Sequence, residues 1–277
     1  MKREIIKAKG KFVGCDPEFG YEAIFKNGKK VESFEYPKFQ GSGIIGYDHC
    51  QRVIELRPKP GKPLLVTAEI GLSIIATEKL FKKLNPKIHK FVMISGGFGS
   101  PSTGGHVHFD KCDDRQKIIN VLNKWEDMKY LECEPGRKQR VEVAGYGRSR
   151  QYRDDHPKSI EWRTPSSWLS DPRWAYCMLT LVYSTYFNVD KFDEALDKSY
   201  KAHLKYIKSV LSPREWRLFF PYYNMWNGYR LKGLKLPKEV STEKWIEFLK
   251  KIPKGYYSKA RIIIEKYLKD CEYDIEF

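Results

Sequence analysis

Lys11-Phe12-Val13-Gly14-Cys15-Asp16-Pro17-Glu18-Phe19-Gly20-Tyr21 reads as a β-strand carrying two carboxylates two residues apart. Strand side chains alternate between faces, so Asp16 and Glu18 project together. Two like charges side by side repel and raise each other's pKa unless something positive lies between them. A divalent cation held by oxygen ligands is the economical solution. The plainer account is a solvated strand edge whose acids serve solubility. Phe12, Val13, Phe19 and Tyr21 argue against it, because they give the segment an interior character.

Outward from this strand the same two-residue spacing recurs. Asn27-Gly28 is a hairpin signal between Tyr21–Phe25 and Lys30–Phe34. Gly41-Ser42-Gly43-Ile44-Ile45-Gly46-Tyr47-Asp48 leads to a further acid, and Arg52–Pro58 alternates so that Glu55 and Arg57 share a face. That pair is either an ion pair worth little if exposed, or a metal carboxylate beside a phosphate-binding guanidinium. Gly96–Thr103 is a Gly/Ser/Pro loop that opens into Gly104-Gly105-His106-Val107-His108-Phe109-Asp110. There His106 and His108 point one way and suit a metal or a phosphate, unless they make only ordinary strand-end hydrogen bonds. Ser159-Ile160-Glu161-Trp162-Arg163 then repeats the acid–arginine spacing with Glu161 and Arg163.

Between these strands, apolar residues at helical spacing predict a core-packing helix over Pro63–Leu84 and a second over Asp113–Tyr130, capped by Asp113 or Asp114. Ile88–Ile94 reads as a strand. Residues 133–158 are polar and dense in Arg, Gly and Tyr. The run Gly145–Arg153 suits single-stranded nucleic acid, or a loop whose arginines, Arg148 and Arg153 among them, grip a nucleotide's phosphates. After Asp171-Pro172 the texture becomes helical, with helices to about Phe187 and over Asp193–Leu211, 242–251 and 258–270, and a loop over Tyr222–Gly233. The expected division is 1–190 as a catalytic domain and 191–277 as a basic helical C-terminal extension.

Composition narrows the class. The 277 residues, 41% hydrophobic and 14% aromatic, suffice for a folded core and exclude a disordered chain. No signal-peptide pattern stands at Met1-Lys2-Arg3-Glu4, and no apolar run is long enough to span a bilayer. The six cysteines form neither a CxxC pair nor a disulfide framework, which fits a reducing cytoplasm and no membrane partner. The net charge of +16 attracts polyanions, whether nucleic acid or a phosphorylated nucleotide, without choosing between them.

The order of these motifs resembles the carboxylate–amine ligases (amidoligases) of the glutamine-synthetase fold, which include glutamate–cysteine ligases and, closer in pattern, phage-type COOH–NH2 ligases. The resemblance is carried by Gly14–Phe19, Gly46–Asp48 through Glu55–Pro58, Gly104–His108, and Tyr152-Arg153 through Glu161–Ser167, and covers roughly residues 10–175. It implies an α+β fold, with a curved, mainly antiparallel sheet, packed helices and a helical C-terminal extension. It also implies an ATP- and Mg²⁺- (or Mn²⁺-) dependent ligase that joins a carboxylate to an amine through an acyl phosphate. Carried over by residue, the metal set is Asp16, Glu18, Asp48, Glu55, His106 and Glu161. His108, Arg57, Arg148 and Arg163 face the nucleotide, and Arg57, Arg153 and Arg163 face the transferred phosphoryl group. The first acid departs from the family pattern by being Asp16 rather than Glu. Members build rings with sites between subunits, and nothing in the sequence requires an oligomer here.

The expected partners are a carboxylate-bearing and an amine substrate, one of them on an anionic polymer or a protein, with nucleic acid admitted by the charge. Three rivals use the same residues differently. A metal-dependent nuclease or phosphatase would need no ATP, a nucleic-acid-binding protein would show steep salt dependence, and a structural protein would leave the polar pairs indifferent to metal.

Overall fold

The computed structural model describes residues 12–277 apart from 32–33, 40–42, 49, 97–102, 111–113, 128–129, 155–158 and 197–199. The glycine-rich stretch 97–102 and the Asp113 cap therefore lie outside the described residues. In chain order the first elements are β1 (Val13–Ile24), β2 (Ile45–Asp48), β3 (Cys50–Leu56), α1 (Pro63–Leu84), β4 (Lys90–Ile94) and β5 (Gly105–Asp110). There follow α2 (Arg115–Asp127), a 3₁₀ turn at Tyr130–Cys133, α3 (Arg137–Glu142), β6 (Tyr152–Arg153), β7 (Ser159–Trp162) and α4 (Pro172–Phe187). The remainder is α5 (Val189–Leu196), α6 (Tyr200–Val210), α7 (Pro213–Leu231), β8 (Glu239–Val240), α8 (Thr242–Lys251) and α9 (Lys254–Asp270).

The segment quoted first is the centre of the sheet. β1 pairs with β5 along Val13–Pro17, with β3 along Glu18–Gly20 and with β4 along Gly20–Ile24, always antiparallel. Gly20 opposes both Val53 and Ile94, so β3 and β4 hold opposite edges of β1. The main path is β2-β3-β1-β5-β7-β6, and β4 adds β8 from the C-terminal part of the chain. Pro17 lacks an N–H to give a ladder, and it stands where β1 stops pairing with β5; the next N–H, of Glu18, reaches the carbonyl of Gly104 at 2.9 Å. The architecture is α+β, with a mainly antiparallel sheet and packed helices.

Alternation sorts the two faces. Val13, Cys15, Phe19, Tyr21 and Ala23 of β1 are buried with Val107 and Phe109 of β5 and Ile160 and Trp162 of β7 in one apolar cluster. α1 and α4 belong to that cluster and are buried almost all round, because α1 packs against α4, α8 and α9 as well as the sheet. α8 approaches α1 very closely at Gly71, where a Cβ would come within 2.8 Å of the Trp245 ring. Trp245 in turn donates from its indole N–H to the Leu169 carbonyl at 3.0 Å.

Several elements depart from the sequence expectation. The Asn27-Gly28 turn forms, with Gly28 at φ +79°, and among the described residues the returning arm shows a bridge between Ile24 and Lys30. The helix expected over Asp193–Leu211 corresponds to α5 and α6, with residues 197–199 between them outside the described residues. Tyr222–Gly233, expected as a loop, lies mostly within α7. Ser212 and Glu215 form a reciprocal capping box there, and the buried Phe219, Tyr223 and Trp226 anchor one face through Pro221. Among the described residues no helix is long and apolar enough to cross a membrane.

Candidate active site

Strand register assembles the polar face. In an antiparallel pair, directly opposed residues share a face and lie close enough to interact. Glu18 opposes Glu55, which opposes Gly46 on β2; Asp16 opposes His106; Gly14 opposes His108, which opposes Glu161 on β7; and Glu161 opposes Arg153 on β6. Period two adds the remaining members, Arg57 beyond Glu55 and Arg163 beyond Glu161. Five neighbouring strands thus project their charged side chains onto the face opposite the apolar cluster.

The contacts within this face are short. His108 Nε2 lies 3.0 Å and His106 Nδ1 3.4 Å from Asp16 Oδ1. Glu161 Oε1 is 3.1 Å from His106 Nδ1 and 3.2 Å from Arg163 Nε, while its Oε2 is 2.5 Å from Arg153 Nη2. Glu55 pairs with Arg57, and Glu18 Oε2 accepts the Gly104 N–H at 2.6 Å. Asp48, half-buried beside an irregularity at the end of β2, is near enough for its charge to act on both Glu18 and Glu55. A cavity of about 290 Å³ opens against Gly14, Asp16, Glu55, Arg57 and His108.

Electrostatics divides the acids into two groups. Burial pushes Glu18 up to about 8; the Gly104 N–H opposes this, and Asp48, Asp16 and Glu55 add to it. Glu55 rises to about 7, again through burial first and then Asp16, with Arg57 opposing. Burial also pushes Asp16 upward, but the two imidazoles outweigh it and hold that carboxyl well below the usual range. Burial would lower His108, but Asp16 reverses the sign and raises it.

A cation fits these residues. Asp16, His108 and Glu161 each offer one ligand atom, and the three atoms lie within 4.8 Å of one another. Asp16 Oδ1 and Glu161 Oε2 are both buried, the first 3.0 Å from His108 Nε2 and the second 2.5 Å from Arg153 Nη2, and buried carboxylates that converge in this way need positive charge beside them. Two carboxylates and an imidazole are donors suited to Mg²⁺ or Mn²⁺.

Sequence reasoning missed the support behind His106. Its Nε2 lies 3.0 Å from the Tyr146 hydroxyl and 3.3 Å from Arg140. The Tyr146 ring is faced by two guanidiniums, Arg140 at 4.6 Å and Arg163 at 4.5 Å, and Arg163 also donates to its hydroxyl. Buried Arg140 donates to the carbonyls of Thr164 and Pro165, and buried Glu134 accepts from both the backbone and the hydroxyl of Ser166. A readable signal was Gly147, at φ +69°, where any Cβ would overlap the Arg140 guanidinium. Of the arginines expected here, Arg57, Arg153 and Arg163 meet the cluster. Arg148 is exposed on a turn whose backbone N–H groups, at Gly147 and Arg148, donate to Gln151 Oε1.

The sequence pattern of the family described as "Phage phiEco32-like COOH.NH2 ligase-type 2" matches residues 13–214, a span that contains every residue of this site. No curated protein matches the sequence. Among solved structures, a bifunctional glutathione synthetase from Pasteurella multocida aligns with a TM-score of 0.49 at 10% identity, over 95% of this chain and 52% of its own. The complex between the prokaryotic ubiquitin-like protein Pup and its ligase PafA aligns with a TM-score of 0.47 at 12% identity, over 96% of this chain and 66% of the other. The chain thus spans about half the length of the first and about two thirds of the second.

Proposed function

The chain belongs to the phage phiEco32-like COOH.NH2 ligase-type 2 family, and from that membership we propose that it joins a carboxylate to an amine at the expense of ATP, on the polar face of the sheet. The observation that carries this reading is the convergence of Asp16, His108 and Glu161 from three adjacent strands. These three would hold Mg²⁺ or Mn²⁺, with Glu18, Asp48 and Glu55 as further carboxylates. His106 has carboxylates at Nδ1 and Tyr146 with Arg140 at Nε2, so we assign it to orienting Glu161 rather than to the metal. A bound divalent ion supplies neutralisation of the polyphosphate charge.

This chain's own residues then do the following. Arg57, Arg153 and Arg163 contact the γ-phosphoryl group and stabilise its equatorial oxygens as it passes to the substrate carboxylate. That transfer forms an acyl phosphate and releases ADP. The amine attacks the activated carbonyl, phosphate leaves, and a proton is given up by the amine. Glu55, which burial raises to about 7 and which lines the cavity, is placed to accept it. All of these residues fall within 1–190, which we take as the catalytic part, with 191–277 as a helical buttress; we place the protein in the cytoplasm.

Differential scanning fluorimetry with Mg²⁺ and ATP together tests the reading, because a ligand that binds only the native state raises Tm. The expected result is a shift that needs both components and disappears in Asp16→Asn. A shift with ATP that ignores the metal, or hydrolysis of bis-p-nitrophenyl phosphate without ATP, would overturn it, the latter in favour of a phosphodiesterase.

A further inference from the structure

A second cavity, of about 410 Å³, lies away from the polar face, among α1, α8 and α9. Its walls are apolar, mainly aliphatic with Tyr257 and Phe277 added. Leu72 and Ile75 come from α1, Leu249 from α8, and Ile252 from the turn that follows it, all of them buried. Three lysines, Lys79, Lys250 and Lys254, stand at its edge, Lys79 donating to the Glu276 carbonyl beside the Phe277 ring, and no acidic side chain lines it. Each of the three is exposed. Lysine stems commonly lie along apolar surface and cover it, yet here the stems leave a volume within the range of small-molecule sites.

We propose that this cavity binds a soluble aliphatic carboxylate, with the alkyl chain against Leu72, Ile75, Leu249 and Ile252 and the carboxylate between Lys250 and Lys254. Apolar walls select a chain that gains by leaving water. A cationic edge without counter-acids selects an anionic head, and its exposure to water makes that selection modest rather than strong. The apolar residues line a recess rather than a flat patch, which suits a single chain rather than a bilayer surface. None of the lining residues belongs to the carboxylate cluster, so the proposal is independent of the ligase reading.

Isothermal titration of the full chain with hexanoate, octanoate, decanoate and decanol tests it. The expected result is one site per chain, affinity rising roughly fourfold per added methylene, and decanoate binding about threefold tighter than decanol. The double variant Lys250→Glu/Lys254→Glu, at exposed positions, should erase the preference for decanoate while leaving decanol unchanged. Ile246→Trp, at an exposed lining position, should weaken decanoate more than tenfold without altering the Mg²⁺- and ATP-dependent shift in Tm. Equal affinity for decanoate and decanol, indifference to chain length, several sites per chain, no binding, or binding confined to vesicles of anionic phospholipid would each overturn the proposal.

Discussion

Replacing Glu18 with Gln should make the metal-free protein more stable at neutral pH, although it removes a candidate ligand. The Glu18 carboxyl is held at about 8 in the folded chain against an ordinary value of 4.5. Its ionised form is therefore favoured only after unfolding, and wild-type stability falls as pH rises from 4.5 through about 8, then levels off. At about 1.4 kcal/mol per pH unit, the penalty at pH 7 reaches about 3 kcal/mol. Glu55 shares the same charge pressure, so removing one member of the pair should recover about 2 kcal/mol, or roughly 3 °C in Tm for a chain of this length. The amide oxygen can still accept the Gly104 N–H that Glu18 accepts at 2.6 Å, and its NH₂ has Glu55 and Asp48 as nearby acceptors. Urea denaturation in EDTA at pH 4.5, 7 and 8.5 checks this, with the variant's advantage near zero at the lowest pH and largest at the highest. Mg²⁺ with ATP should then stabilise the wild type more than the variant. A variant no more stable than wild type at pH 8.5 would refute the charge-crowding argument.

Glu161→Gln should abolish the Mg²⁺- and ATP-dependent rise in Tm, read by scanning fluorimetry, while circular dichroism stays native. Tyr146→Phe keeps the ring between Arg140 and Arg163 but loses the hydroxyl beside His106; ATP-dependent ADP release should fall roughly ten- to a hundredfold, with Tm nearly unchanged. Mn²⁺ binding, followed by water proton relaxation, should tighten when ADP is added, because the metal otherwise has to pass a rim of Arg57, Arg153 and Arg163. Gly71→Ala gains about 1 kcal/mol of helix propensity but drives a methyl into the Trp245 ring at 2.8 Å. With overpacking costing about 1–3 kcal/mol, urea unfolding should show a net loss near 1 kcal/mol, and a gain would remove Gly71 from the α1–α8 contact.

How far the sequence could be read follows from what period two does and does not encode. A strand places Asp16 with Glu18, Glu55 with Arg57, His106 with His108 and Glu161 with Arg163 whatever its neighbours are, and α1 was legible over Pro63–Leu84 from apolar spacing and a proline at its start. Which pair stands beside which is register, set by partners far along the chain. Nothing local to Glu18 indicates that Glu55 rather than Arg57 will face it. Arg140 and Tyr146 lie on a short helix and a turn with no period to betray them, and only the tight glycines flanking Tyr146 hinted at a close approach. α7 was hidden because Pro221 and Gly228 look like helix breakers. The Ser212-Pro213-Arg214-Glu215 capping signal and the 219/223/226 aromatic spacing were the stronger local evidence, since tertiary burial of Phe219, Tyr223 and Trp226 overrides propensity.

The layering of charge in the site connects the fold to the chemistry. The carboxylates sit deep, Glu161 and Glu18 being buried and Asp16 nearly so, whereas Arg57, Arg153 and Arg163 stand further out, with side chains 30%, 48% and 22% exposed. Strand order produces this arrangement: β1 and β7 carry Asp16, Glu18 and Glu161 on either side of the two histidines of β5, and the arginines come from the short edge strand β6 and from positions just past β3 and β7. A negative floor beneath a positive rim repels a bare anion at depth and a bare cation at the entrance. It suits the two together, a divalent cation with its polyphosphate, and this is the combination that the proposed phosphoryl transfer to a carboxylate requires. The chain's net charge of +16 adds a long-range pull toward the same polyanion, so the global and local fields act in the same direction. A nuclease or phosphatase would share the floor. What would separate the readings is the rim: under the proposed function, three guanidiniums around a floor able to hold a cation would meet the equatorial oxygens of a nucleotide's terminal phosphoryl group.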